Sequence, residues 1–190
     1  MERFAEVLRY KYRLLLQCIC LEATEMNIDV TWFEDWDGYT GPPITDDMVR
    51  KAEAKLGFKL PKSYIELLRV KNGGILKYNR FPTLIPTGWA EDHVQINAIF
   101  GIGGEHGIDT ELGSQYMIPE WGYPDVGVWI GMTPSGGHEA IMLDYTECGP
   151  QGEPRVIYAD VETEDGEPYV VILARDFETF IQGCHIGEDL

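Results

Sequence analysis

The second half of the sequence has almost no basic side chains. Residues 1–80 hold 13 Lys and Arg against 12 Asp and Glu, whereas residues 81–190 hold 2 against 20. No Lys or Arg occurs between Arg80 and Arg155, so the net charge of −17 arises after residue 80. An acidic surface repels phosphate, which argues against nucleic-acid binding and nucleotide chemistry in this half. It favours a basic protein partner or a cation.

Cysteines and long apolar segments are also scarce. The apolar segment 14–21 is too short to span a bilayer, and no signal-peptide cleavage site follows it. We therefore expect a cytoplasmic protein without a membrane segment. The cysteines have neither metal-ligand spacing nor the density of a disulfide scaffold, which predicts free, buried thiols in a reducing compartment. They are Cys18, Cys20, Cys148 and Cys184.

The clearest local pattern in the chain is the stretch LGFKLPKSYIELLRVKNGG. The apolar residues Val49, Ala52 and Leu56, which end at the first residue of this stretch, have helical spacing and predict a helix over 46–56. Thr45 is the expected N-cap of this helix and Gly57 the expected C-cap. Pro61 then begins a second amphipathic helix, because proline is tolerated at the first helical position. The sequence Asn-Gly-Gly at 72–74 ends it.

The N-terminal part is predicted to be an extension of the main domain. Residues 2–26 have the apolar stripe of one amphipathic helix. An acidic and aromatic connector, WFEDWD at 32–37, follows it. Its tryptophans are predicted to be buried, and an exposed aromatic patch for a partner is the alternative. The chain is thus divided into an N-terminal helix and connector, 1–43, and one domain, 44–190.

After the second helix the pattern changes to short strands. Consecutive strands joined by short turns predict an antiparallel sheet. The fold class is therefore α+β, a single domain with an antiparallel sheet flanked by helices, plus the N-terminal helical extension. The predicted strands are 94–102, 126–131, 140–144, 155–159 and 169–173, with an edge segment at 84–86 and helices at 111–121 and 175–182.

No arrangement of residues indicates an enzyme. Ser135 lies in a tight turn without the Gly-x-Ser-x-Gly elbow. The glycines at 101–107 lack the spacing of a dinucleotide-binding loop. A cysteine nucleophile needs a partner histidine, and the adjacent Cys184 and His185 lie in a tail that is expected to be mobile. No metal-binding motif is present, so we expect no cofactor and no metal. The candidate ligands for the alternative, a divalent-cation site, are Glu105, His106, His138, Glu139 and Asp144.

The run 44–74, with its L-G-F-x-L-P-x-x-Y-x-x-L-L core and N-G-G end, resembles the SUKH superfamily. That group includes the yeast cell-wall-assembly regulator of the SMI/KNR type and many bacterial proteins. The resemblance continues through V-W-I-G at 128–131, two glycines at 136–137 and I-M-L-D-Y at 141–145. It covers 44–183 in the family's order. His138 and Glu139 depart from the pattern, since relatives more often carry Gly and Asp there.

The resemblance implies a binding role without catalytic residues. Bacterial members are largely immunity proteins of polymorphic toxin systems, which bind a cognate toxin and block it. We therefore predict an immunity protein that neutralises a basic toxin, with a nuclease as one candidate. The alternatives are a regulatory or scaffolding module of the cell-wall-regulator type and a small metal-dependent hydrolase. The chain is expected to be a monomer or a weak homodimer that binds neither nucleic acid nor membrane.

The predicted partner-binding residues are aromatic, acidic and histidine side chains near strand ends or in loops. Trp and Tyr commonly anchor interfaces, and an acidic rim would attract a basic partner. Each Trp could instead pack in the core, and each acid could simply be solvated. The predicted residues are Trp89, Glu91, Asp92, Trp121, Tyr123, Asp125, His138, Glu139, Asp160 and Glu162.

Overall fold

The computed structural model describes residues 28–88 and 90–186. The predicted helix 2–26, with Cys18 and Cys20, lies outside the described residues, and so does Trp89. The first described element is a single 3-10 turn, Val30–Trp32.

Two helices precede the main sheet, and both were predicted from the sequence. Helix α1, Asp46–Leu56, begins where the Thr45 side chain accepts a hydrogen bond from the backbone N–H of Met48 at 3.2 Å. It ends at Gly57, whose φ of 83° is the left-handed conformation that favours glycine. Helix α2, Lys62–Val70, follows. Pro61 is its N-cap, one residue before the position expected from the sequence.

Eight strands lie within the described residues. Six of them form one antiparallel sheet in the order β1-β4-β5-β6-β7-β8, and the other two, β2 and β3, pair with each other. The predicted α+β class and the antiparallel sheet are therefore confirmed. The strands are β1 Gly74–Ile75, β2 Arg80–Pro82, β3 His93–Gln95, β4 Ala98–Ile99, β5 Gly127–Met132, β6 Glu139–Asp144, β7 Arg155–Asp160 and β8 Tyr169–Ala174.

The single strand predicted over 94–102 is wrong. The chain leaves the small sheet after β3 and enters the main sheet at β4. Between them the N–H of Ile96 donates to the carbonyl of Asn79 at 2.7 Å, whereas the N–H of Asn97 donates to Met132 at 2.7 Å. This change of partner divides the apolar run into two strands. The edge segment predicted at 84–86 is a bend between β2 and β3, not a strand.

The two later helices are shorter than predicted, because the first begins three residues and the second two residues later than expected. Helix α3, Ser114–Trp121, begins where the Ser114 hydroxyl both donates to the carbonyl of Trp129 and accepts from its N–H, each at 3.1 Å. Helix α4, Phe177–Gly183, begins after Asp176, whose carboxylate accepts from the N–H of Thr179 at 2.7 Å. The inward-facing residues predicted for α4 are confirmed: Phe177, Phe180 and Ile181 are buried.

The core lies between the main sheet and the helices. Every residue of β6 is buried, as expected for a strand inside a covered sheet. The Tyr64 ring of α2 packs edge-on against Phe177 of α4, with ring centroids 5.1 Å apart. Its hydroxyl donates to the carbonyl of Phe100 at 2.5 Å. Burial raises the pKa of Tyr64 well above its ordinary value, so this hydroxyl remains a donor.

Asn72 joins the end of α2 to two other segments. It is 3% exposed, and its side-chain N–H groups donate to the carbonyls of Pro42 and Ile102 at 2.6 and 2.9 Å. Its side-chain oxygen accepts from the N–H of Ile102 at 2.8 Å. Gly73 follows with φ of 88°, and a Cβ there would meet the N–H nitrogen of Gly101 at 2.7 Å. The Asn-Gly-Gly sequence is therefore a packed junction as well as a helix end.

The connector 32–37 packs on the domain only in part. Phe33 is buried and forms a bridge with Leu76, and Trp32 is half-buried and stacks on Tyr78 with centroids 4.1 Å apart. Trp36 is 55% exposed. The prediction that both tryptophans are buried is therefore wrong for Trp36.

The end of the described chain is held against the small sheet. Backbone groups of Arg80 and His185 exchange hydrogen bonds at 3.1 and 3.0 Å. Cys184 is 6% exposed, and burial raises the pKa of its thiol. The expectation of a mobile tail at Cys184 and His185 is therefore wrong. Cys148 and Cys184 are free thiols, and Cys184 is buried as predicted, whereas Cys148 is exposed, so the prediction of a buried thiol is wrong for Cys148. No helix of the described chain is long and apolar enough to cross a membrane.

Candidate partner-binding surface

Several predicted residues meet at the end of the main sheet where β6 begins. The rings of Trp121 and His138 lie edge to face, with centroids 6.0 Å apart. The Nδ1 atom of His138 lies 3.9 Å from a carboxylate oxygen of Glu162. Trp121 is 36% exposed. We call this region the turn surface and define it as Trp121, His138 and the β7–β8 turn, residues 160–168.

Backbone pairing and two glycines explain why these side chains meet. The N–H of Val161 donates to the carbonyl of His138 at 2.9 Å, which places the start of the β7–β8 turn beside His138. Gly136 and Gly137 have φ of 74° and 112° in the β5–β6 turn. A Cβ at Gly137 would lie 2.6 Å from the Trp121 ring. Glycine at this position therefore allows the tryptophan to lie against the backbone.

The β7–β8 turn carries five acids and no base between residues 160 and 167. The carboxylate of Asp160 accepts from the N–H of Glu162 at 2.9 Å, and that of Asp165 accepts from Glu167 at 3.2 Å. Two of the five carboxylates therefore shape the turn. Glu162, Asp165 and Glu167 are exposed, as is Glu164. Their negative charges face solvent, and the charge of Glu162 lies next to His138.

Two predicted residues, Tyr123 and Glu139, lie beneath the turn surface instead of on it. Tyr123 is 4% exposed and donates its hydroxyl hydrogen to the carbonyl of Gly137. Burial raises its pKa, so it remains protonated. Glu139 is 3% exposed and accepts a hydrogen bond from the Thr133 hydroxyl at 2.5 Å. Their burial is consistent with support of the β5–β6 turn and leaves them little surface for a partner.

The loop between β2 and β3 approaches the same end of the sheet. The N–H of Gly88 donates to the Tyr158 hydroxyl at 3.2 Å, and a Cβ on Gly88 would overlap the Glu139 carboxylate. Glu91 and Asp92 of this loop are exposed. A carboxylate oxygen of Asp92 lies 2.8 Å from Nδ1 of the neighbouring His93. These two predicted acids therefore belong to a loop that borders the turn surface.

Asp125 is separate from this group. It is exposed and stands just before β5, where the carbonyl of Val126 accepts from the N–H of Tyr145 at 2.8 Å. The β5–β6 turn lies at the opposite end of β5. The structure therefore brings Trp121, His138, Asp160 and Glu162 together and leaves Asp125 apart.

A comparison with models of protein families identifies the family of the chain. The family model described as SMI1 / KNR4 family (SUKH-1) matches residues 43–183. The chain belongs to this family. The match covers nearly the same residues as the resemblance seen in the motifs, from one residue earlier to the same last residue. No curated protein and no solved structure matches the chain. SUKH-1 proteins include toxin immunity proteins, and the family is generally non-catalytic.

In this SUKH-1 domain one of the two bases that follow residue 80 is neutralised within the fold. The Arg155 guanidinium donates to Asp144 at 2.7 Å and to Glu147 at 2.5 Å. The side chain of Asp144 is 3% exposed. Burial opposes ionisation of Asp144, but hydrogen bonds from Thr146 and Arg155 outweigh it and hold its pKa below the ordinary value of 3.8.

We expect replacement of Asp144 by Asn to cost about 2 kcal/mol of unfolding free energy at neutral pH, because the buried charge pair is lost. The folded pKa of Asp144 is depressed, so its contribution is complete above the unfolded pKa and disappears as pH falls through the folded value. Urea unfolding at about pH 7 and about pH 3 measures this. The difference between wild type and variant should shrink at the lower pH. An equal difference at both values would contradict the assignment.

A second exposed aromatic group was missed by the list of predicted residues. Trp36 packs edge-on against Tyr39, and Tyr39 packs against His106, with centroids 5.3 and 5.2 Å apart. Glu34 and Asp35, which immediately precede the tryptophan, are exposed. We call these five residues the connector patch. The sequence signal for this patch is the WFEDWD run followed by Gly38. The Trp36 ring lies over this glycine, where the Cβ of any other residue would overlap the ring.

The alternative of a cation site has no support among the described residues. No group of three or more His, Cys, Asp and Glu side chains there is arranged to hold a metal ion. Of the candidate ligands, Glu139 and Asp144 are buried and engaged by Thr133 and Arg155.

Proposed function

We propose that this SUKH-1 domain is an immunity protein, which binds a basic toxin of a polymorphic toxin system in the cytoplasm and blocks it. The proposal rests on family membership and on the charge of the chain after residue 80. The observation that carries it is the turn surface, where the Trp121–His138 pair adjoins the β7–β8 turn, which carries five acids and no Lys or Arg.

The chemistry of the turn surface suits capture of a protein. An exposed tryptophan supplies a large apolar contact, and such residues dominate the binding energy of many interfaces. The carboxylates of the neighbouring β7–β8 turn attract a basic partner and accelerate encounter. A toxin that binds phosphate presents positive charge at its own site, so the acids of the turn can occupy the place of the phosphates. The departure of His138 from the family pattern lies within this surface, which suits recognition of one particular toxin.

Co-purification tests the proposal. The chain is co-expressed with the tagged product of the neighbouring gene, and the stoichiometry and the toxic activity of that product are measured. We expect a stable complex in which the activity is lost. Replacement of Trp121 by Ala should weaken binding by about 30-fold, the effect of removing an interface anchor worth about 2 kcal/mol. The matched change Trp36→Ala, in the connector patch, should have little effect. A neighbouring product that is neither toxic nor bound would contradict the proposal.

A further inference from the structure

The outer edge of β8 is apolar, and no strand of the described residues pairs with it. On one side β8 pairs with β7, and on the other it pairs with no strand of the described chain. Val170 and Ile172 are 44% and 58% exposed. Edge strands are commonly protected by charged residues, prolines or bulges. Here Pro168 precedes the strand, and the register shift lies near its other end, so the centre of the edge is unprotected.

The pairing of β6 with β7 shows which way the backbone of β7 points. Val161 donates to His138 of the chain segment that leads into β6. In an antiparallel sheet the backbone groups of successive residues point to alternate sides. Those of Tyr158 and Asp160 therefore point away from β6 and towards β8.

The same alternation leaves backbone groups on the outer side of β8 that no described strand pairs with. Tyr169 is paired with Asp160, and Val171 with Tyr158, so the backbone groups of these two β8 residues point to β7. The N–H and C=O groups of Val170 and Ile172 consequently point outward. These four groups and the two exposed side chains form a short edge with which another strand can pair by backbone hydrogen bonds.

We propose that this surface pairs with β8 of a second copy of the chain, antiparallel and about a twofold axis. With Val171 on the axis, Val170 of one copy lies opposite Ile172 of the other. Each copy then supplies two N–H and two C=O groups, which form four backbone hydrogen bonds. The two main sheets become one continuous sheet, and the exposed Val170 and Ile172 side chains of each copy are covered.

Charge complementarity favours a second copy over a strand of a basic protein. The same register places Glu167 of one copy beside Arg175 of the other, twice about the axis. The Arg175 side chain is 85% exposed, whereas Arg155 is held by Asp144 and Glu147. Within its own chain the Arg175 Nε atom lies 3.0 Å from the carboxylate of the adjacent Asp176. A basic strand would bring positive charge to Arg175, and a second copy brings a carboxylate.

The net charge of −17 on each copy determines how strongly this dimer associates and how its association depends on salt. Two acidic copies repel each other, and salt screens that repulsion. The contact is also short, so association is weak and strengthens as the salt concentration rises. Glu167 belongs both to the turn surface and to the proposed dimer contact, so the dimer is measured on the chain alone, without toxin.

Sedimentation of the purified full chain over a range of concentrations tests the dimer. The average mass should rise from 21.5 kDa towards twice that value, and more readily at high salt. Ile172→Lys should weaken self-association at least tenfold. Leu84→Lys is the matched control, because Leu84 is 57% exposed and the charge change is the same. A monomer at every concentration would overturn the proposal, as would equal effects of the two variants.

A charge exchange tests the register. Glu167→Arg alone and Arg175→Glu alone should each weaken the dimer, and the two changes together should restore it. Failure of the double variant to recover would overturn the proposed pairing. If Ile172→Lys left self-association unchanged but weakened toxin binding, the edge would be occupied by the toxin, and the second copy would be the wrong partner.

Discussion

Replacement of Asn72 by Asp is expected to lower the free energy of unfolding by about 3–5 kcal/mol. The exchange preserves shape but removes both donors of the side chain. The carbonyls of Pro42 and Ile102, which now accept at 2.6 and 2.9 Å, would face a buried carboxylate. Two acceptors would lose their partner, and a charge would be buried without a cation.

The cost of this exchange should depend on pH. Burial raises the folded pKa of the introduced carboxyl above its unfolded value, because the charged form is disfavoured there. The destabilisation is therefore complete above the folded pKa and decreases as pH falls through it, since the protonated acid recovers one donor. Urea unfolding of wild type and variant at several pH values measures both effects.

Gln151→Glu is the matched control for the Asn72 exchange. Gln151 is exposed, and the control makes the same amide-to-acid change with the same gain of charge. It should change the unfolding free energy by about 0.5 kcal/mol or less. If the two variants were equally stable, Asn72 would not hold together the end of α2, the segment at Pro42 and the loop at Ile102.

Neutralising three acids of the β7–β8 turn is expected to slow association with the toxin by about tenfold at low salt. The variant is Glu162→Gln, Glu164→Gln and Asp165→Asn. The last change keeps an oxygen for the N–H of Glu167, so the turn is preserved. The effect should be largest in the association rate and should diminish at high salt, because it acts through the field of exposed charges. Stopped-flow mixing over a salt series measures it.

The matched variant carries the same charge change elsewhere. Glu34→Gln, Asp35→Asn and Glu66→Gln alter three exposed acids of the part before residue 80, two of them in the connector patch. We expect its association rate to stay close to wild type. If this variant were the slower one, the toxin would bind at the connector patch and the turn surface would be the wrong site.

Local sequence signals were sufficient for most of the fold. Caps and apolar spacing located α1 to the residue, because Thr45 and Gly57 act through their immediate neighbours. The strands β5 to β8 were found within one residue at each end. The division of 94–102 into two strands could not be predicted, because it depends on the hydrogen bonds of Ile96 and Asn97 to distant segments.

The candidate site was less predictable because it depends on burial. The sequence places Trp121 and His138 near turns, but their contact requires the closeness of α3 to Gly137. Glu139 follows His138 directly and yet points into the protein, because successive side chains of a strand face opposite sides. Trp36 was expected in the core, and only its position over Gly38 shows why it stays exposed.

The dissociation constant of the complex with the neighbouring gene's toxin tests the central claim most directly. Titration calorimetry compares wild type with the variants Trp121→Ala and Trp36→Ala under the same conditions. The account predicts a stable complex that the Trp121 change weakens by about 30-fold and the Trp36 change leaves nearly unaltered. Absence of a complex, or a complex that only the Trp36 change weakens, would contradict it.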